Sequence, residues 1–138
     1  MSTESAVQES SRYDIAAGVL DKIFGPSWRD KTRVTGMKSV DDFQRITVEH
    51  CYADAWARDT LDYKTRSVSC LSVTATLGTM EEFKLHVEAA LANGWSHEEI
   101  FEILLHLVPY IGVPKAVQAL RAAGDVFTEM FTKAAADQ

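Results

Sequence analysis

The sequence predicts an all-α fold of about six helices, and three observations predict it. Apolar residues recur at steps of three and four almost throughout the chain. Glycine, proline and side-chain caps punctuate that pattern at intervals suited to helices of three to five turns. No stretch alternates apolar and polar residues as a strand with one buried face would.

Taken in order, Tyr13, Ala16, Ala17, Leu20 and Phe24 mark the first helix, which ends at Gly25-Pro26. Residues 27–38 are basic and irregular and are expected to form a loop. Ser39 is the expected cap of a second helix, with Asp41 and Asp42 in its first turn. Its apolar positions Val40, Phe43, Ile46 and Tyr52 lead to Trp56, and Asp59-Thr60 interrupts it. Asp62 can cap the next helix, 63–77, which is apolar on most sides beyond Arg66 and so should lie in the middle of the fold or of an assembly. Gly78 closes it. Thr79-Met-Glu-Glu82 and Ser96-His-Glu-Glu99 are capping-box patterns opening two further helices, the first of which stops at Gly94. Pro114 suits the first turn of a last helix, 115–133. These boundaries describe a loose N-terminus (1–10), one domain (11–133) and a frayed tail (134–138).

Composition narrows the function. Of 138 residues, 46% are hydrophobic and 25% charged, ordinary values for a globular chain. Fourteen basic against twenty acidic side chains give a net charge of −6, which argues against a nonspecific nucleic-acid or acidic-membrane surface. A local arginine pocket for a small anion remains compatible with it. No run of about 18 apolar residues is present, and the polar start MSTESAVQESS has no signal-peptide pattern, so a cytoplasmic protein is expected. Cys51 and Cys70 form neither a C-x-x-C nor a zinc spacing and are expected to be buried thiols.

Candidate chemistry concentrates between His86 and Pro114, where titratable groups and a tyrosine stand on segments that otherwise look buried. Glu82 and His86 are four residues apart and can share a helix face, and Glu102 and His106 repeat that spacing. An imidazole beside a carboxylate can act as a general acid or base, and a structural histidine bonded to a nearby carbonyl has the same signature. Neither pair has the Glu-x-x-His spacing of di-iron bundles, and no metal is expected. Arg58 and Arg66 flank the Asp59–Asp62 turn; a guanidinium there can clamp a carboxylate or form a structural salt bridge. Trp56 suits a core position or a pocket wall, and Tyr110 approximately continues the face of Glu102 and His106.

Read together, several segments resemble the carboxymuconolactone decarboxylase family. They are Trp56-Ala-Arg58-Asp-Thr-Leu61-Asp62-Tyr-Lys-Thr65-Arg66-Ser67, Leu77-Gly78, Leu85-His86 through Asn93-Gly94, Glu98-Glu99-Ile100-x-Glu102, and Tyr110-x-Gly112-Val-Pro114. Their order and spacing extend from about Tyr13 to Met130. The resemblance implies a six- to seven-helix alkylhydroperoxidase-like bundle, assembled as a homo-oligomer (trimer or hexamer), with a small site near subunit contacts that uses no cofactor. Peroxidase-type relatives carry a C-x-x-C where this chain has Thr79 and Glu82, so a dithiol mechanism is not expected. The chain also departs from the decarboxylases, with His50-Cys51-Tyr52-Ala53 before the tryptophan, Asp59-Thr60 in place of proline–glycine, and His106 in place of glutamine.

The implied reaction is decarboxylation of a carboxylated unsaturated lactone to an enol-lactone and carbon dioxide. His86 would be proton donor or relay, oriented by Glu82 or Glu102, with His106 as substitute or helper. Arg58 or Arg66 would bind a carboxylate, and Trp56 and Tyr110 would shape the pocket. Two other classes stay open on the residues: a related cofactor-free hydrolase, isomerase or dehydratase acting on another small acid or polyketide-like substrate, and a noncatalytic helical assembly or ligand-binding protein.

Overall fold

A computed structural model of the chain describes residues 11–31 and 36–137. The expected loose N-terminus, residues 1–10, lies outside the described residues, as does 32–35 of the expected loop. The described residues form seven α-helices and one π-helical segment, with no strand among them. The chain divides between Thr60 and Leu61 into two compact units.

The first unit contains α1 (Arg12–Phe24), α2 (Trp28–Lys31), α3 (Lys38–Val48) and the π-helical segment Glu49–Trp56, which continues α3. Ser11 and Asp14 close a reciprocal capping box at the start of α1. Ala16, Ala17 and Leu20 of α1 pack with Trp28 and Val48 into this unit's core. The loop expected over 27–38 contains the turn α2, because Trp28 Nε1 and Arg29 both donate to the Asp21 carboxylate, at 2.7 and 2.9 Å, and tie it to α1. Ser39 is not the cap of α3. The helix begins two residues earlier than that cap implies, at Lys38, after an extended Met37 whose carbonyl accepts from the Val40 and Asp41 amides.

The second unit contains α4 (Tyr63–Leu77), α5 (Met80–Ala92), α6 (His97–Ile111) and α7 (Val113–Ala136). Its core draws Leu71 and Ala75 from α4, Phe83, Val87 and Ala90 from α5, Ile100 and Leu104 from α6, and an alanine-rich stripe ending at Val126 and Phe127 from α7. Small residues at that stripe let α7 lie close to its neighbours. The principal packing partners of α5 are α4 and α7, and α6 packs on the same two helices.

Local signals explain most boundaries here. Asp62 Oδ1 accepts from the Thr65 amide at 2.7 Å, as expected. Gly78 adopts the left-handed conformation (φ 75°) that a side chain would resist, and stops α4. Ser96 and Glu99 close the anticipated capping box of α6. The box expected at Thr79 does not form: its hydroxyl turns back towards the Thr74 carbonyl (3.5 Å), which also accepts from the Gly78 and Thr79 amides at the end of α4. Pro114 falls in the first turn of α7, which starts at Val113 and runs to Ala136, past the anticipated end at Lys133.

A candidate active site in the second unit

The Glu82–His86 pair lies on α5 beside its buried stripe. Phe83, Val87 and Ala90 face the core, and His86 sits next to them, half-buried. Burial pushes the imidazole below its ordinary value of 6.5, because a charged ring loses hydration there. The opposing attraction of Glu82 is the smaller effect, so the ring is neutral at pH 7. Glu82 itself, in the first turn of α5, is exposed.

Glu102 and His106 take part in a different arrangement. They line a cavity of about 540 Å³ between α4 and α6, with Val68 and Ser72 on one wall and Trp95, Ile103 and Leu107 on the other. That volume suits a small organic molecule. Glu98 and Glu99 stand at its edge. Lys64 Nζ is 2.7 Å from Glu99 Oε1 and 4.8 Å from the centre of the Trp95 ring, so one cation holds both the acid and the aromatic wall. The contact with Lys64, followed by the Ser96 cap, keeps the Glu99 carboxyl below its ordinary value. The cavity lining does not include His86.

The expectation that the polar groups of this stretch are buried is met only halfway at His86, which is half-buried, and fails for three others. Glu102 and His106 are exposed, and Tyr110 is 74% exposed with its ring 5.5 Å from that of His106. The reason is helical phase: Ile100 and Leu104 bury one side of α6, and the Glu102 face turns away from it. Arg66, half-buried, donates from Nε to the Leu61 carbonyl at 3.2 Å. In the first unit, Trp56 is buried with its ring 6.3 Å from Tyr52, and Arg58 is exposed. Cys51 and Cys70 are free thiols, half-buried rather than buried. Among the described residues no three His, Cys, Asp or Glu side chains converge on a point that could hold a metal ion.

Nothing in the residue pattern marks Lys64, Ser72 or Trp95 as site residues. Lys64 and Glu99 are 35 positions apart, and only the packing of α4 on α6 brings them together. The π-helical turn ending at Trp56 was equally silent, since its irregular bond (Ala57 N–H to the Tyr52 carbonyl, 2.9 Å) has no local signature.

The carboxymuconolactone decarboxylase family model matches residues 41–125, well over half of the chain. The chain belongs to the carboxymuconolactone decarboxylase family. The matched region carries Trp56, Arg58, Arg66, Glu82, His86, Glu102, His106 and Tyr110. The family also accounts for two curated relatives. The chain is 30% identical over 124 residues to a 4-carboxymuconolactone decarboxylase of Acinetobacter baylyi, covering 90% of this chain and 92% of that protein. It is 25% identical over 135 residues to a nitrosuccinic acid decarboxylase of Metarhizium robertsii, covering 96% of this chain and 94% of that one.

Proposed function

We propose that this protein is a carboxy-lyase that decarboxylates a small carboxylated unsaturated lactone resembling 4-carboxymuconolactone, without a cofactor. The reaction class rests on one observation, the near full-length likeness to a relative bearing that activity in its name. Both relatives' names describe acids that carry an electron-withdrawing group, a lactone carbonyl in one and a nitro group in the other. Such a group can accept the electron pair left when carbon dioxide departs, so the substrate supplies its own sink.

In this reading the bond to the carboxylate carbon breaks and its electrons pass through the C=C bond onto the lactone carbonyl. The dienolate then takes a proton on carbon and becomes the enol-lactone. His86 serves as the proton relay, one ring nitrogen donating while the other is recharged from solvent. Its depressed pKa supports this role, because a neutral imidazole has both a donor and an acceptor nitrogen at pH 7. Glu82 is the carboxylate whose charge acts on His86, and it orients the ring. Glu102 and His106, with Tyr110 beside them, serve the α4–α6 cavity as a second polar group. Arg66 binds a substrate carboxylate; Arg58 carries the same expectation in the first unit, where Trp56 is the expected pocket wall.

We also read the protein as a single functional domain (11–133) in a cytoplasmic homo-oligomer, a trimer or hexamer. Apolar side chains left in water support assembly: Phe43 is 71% exposed, Leu77 67% and Leu105 64%. Among the described residues no helix is long and apolar enough to cross a membrane.

The test is product analysis with 4-carboxymuconolactone. Release of one carbon dioxide per substrate is expected, with oligomer mass measured in the same preparation by light scattering. A product of unchanged mass would replace this reading with an isomerase, and absence of any turnover would remove the substrate assignment.

A further inference from the structure

A second cavity, of about 510 Å³, lies between α5 and α7. Its walls come from Met80 and Lys84 on α5 and from Pro114, Val117, Gln118 and Arg121 on α7. The α7 residues recur at three- and four-residue steps and so share one face. Met80 and Lys84 also share a face, about 200–240° around α5 from His86 at 100° per residue. This cavity is therefore separate from the Glu82–His86 edge, and it shares no lining residue with the α4–α6 cavity.

The cations here are not alike. Lys84 Nζ is 3.1 Å from Asp125 Oδ2, and Glu81 and Glu129 also act on it, so its charge is met within the fold. Lys115 reaches back over Gly78: a Cβ there would lie 3.2 Å from its Nζ, and 3.7 Å from Gln118 Oε1. The last carbonyls of α4 attract a cation at that place. Arg121 has no hydrogen bond, ion pair or ring contact among the described residues. An exposed arginine alone would mean little. This one stands in a concavity, one turn from a side-chain amide, above Met80, Pro114 and Val117. A guanidinium fork and an amide donor on one helix face match the two oxygens of a carboxylate.

We propose that the α5–α7 cavity is a binding site for a small organic carboxylate with a compact apolar body. Its head is held by Arg121 and Gln118, and its body lies on Met80, Pro114 and Val117.

The test is a titration of the full chain with benzoate, followed by amide NMR shifts. Benzoate should shift residues 80–84 and 114–121. A charge-assisted contact of this kind carries about tenfold or more in affinity. Arg121→Gln should therefore weaken benzoate about tenfold, with Arg121→Lys in between because it keeps the charge and loses the fork. Benzamide, the neutral analogue, should bind as weakly to the native protein as benzoate does to Arg121→Gln. Shifts confined to the α4–α6 cavity, equal affinity for benzamide, or unchanged affinity in Arg121→Gln would each overturn the proposal. Arg121 is exposed, so the variants are expected to fold, and an unchanged thermal melt checks this. Because the readout is binding and not turnover, a negative result leaves the decarboxylase reading standing.

Discussion

The two Glu-x-x-x-His pairs have the same spacing and opposite surroundings. His86 lies about 40–60° from Ala90 and Phe83 around its helix, at 100° per residue, at the edge of the buried stripe. His106 is about 160° from Leu104 by the same geometry, on the side of α6 turned from the core. One imidazole is therefore half-buried with its pKa lowered by burial, while the other stands in an open cavity beside Glu102 and Tyr110. A four-residue spacing brings acid and imidazole onto one helix face. The phase of that face against the core decides what the pair can do.

The largest effect that can break this contrast is catalytic. His86→Ala should lower turnover of 4-carboxymuconolactone about 10²–10⁴-fold, the usual contribution of a positioned proton-transfer group. His106→Ala should cost less than tenfold on the same scale. If steady-state rates show the reverse order, the exposed pair is the proton-transfer site.

Stability provides the next comparison. Phe83 is 0% exposed and anchors the helix of His86, so Phe83→Ala should cost about 3–5 kcal/mol in urea unfolding. Leu105 lies next to His106 and is 64% exposed. Leu105→Ala should change the stability of the unassembled chain by less than about 0.5 kcal/mol. A large loss at Leu105 under dissociating conditions would mean that the His106 side of α6 is buried within one chain.

A smaller difference separates the two helix starts. Ser96 accepts from the Glu99 amide and Thr79 makes no cap bond, so Ser96→Ala should cost about 1 kcal/mol and Thr79→Ala clearly less. Equal losses in parallel melts would show that α5 is capped as the sequence suggests.

The smallest effect is in pH. The His86 pKa is depressed in the folded state, so the unfolded chain binds more protons just below the ordinary value of 6.5. The contribution of His86 to stability is complete above that value and is lost as the pH falls through the folded pKa. His86→Gln should flatten that part of the stability–pH curve, and NMR titration of the ring should give a midpoint below 6.5. A midpoint above 6.5 would mean that Glu82 outweighs burial.

Much of the fold was legible in the residues. Helical spacing located the long helices, and Asp62, Gly78, Ser96 and Pro114 marked their ends because caps and stops act on backbone within one turn. Thr79 misled for a local reason as well, since its hydroxyl has another backbone partner within reach, and Ser39 misled because α3 starts before it, after Met37. The site was less legible. Spacing left the two Glu–His pairs alike and only the family resemblance favoured His86, while Lys64, Trp95 and Arg121 were passed over because their neighbours come from distant segments.

By itself, the sequence determined an all-helical chain, the approximate span of each long helix and membership of a decarboxylase family. Tertiary structure alone decided which histidine is partly withdrawn from water, which acids share a cavity and where an arginine stands without a carboxylate. Helix periodicity and caps are properties of a few consecutive residues. Burial and cavities depend on which face of one helix meets which face of another, and no single segment carries that information.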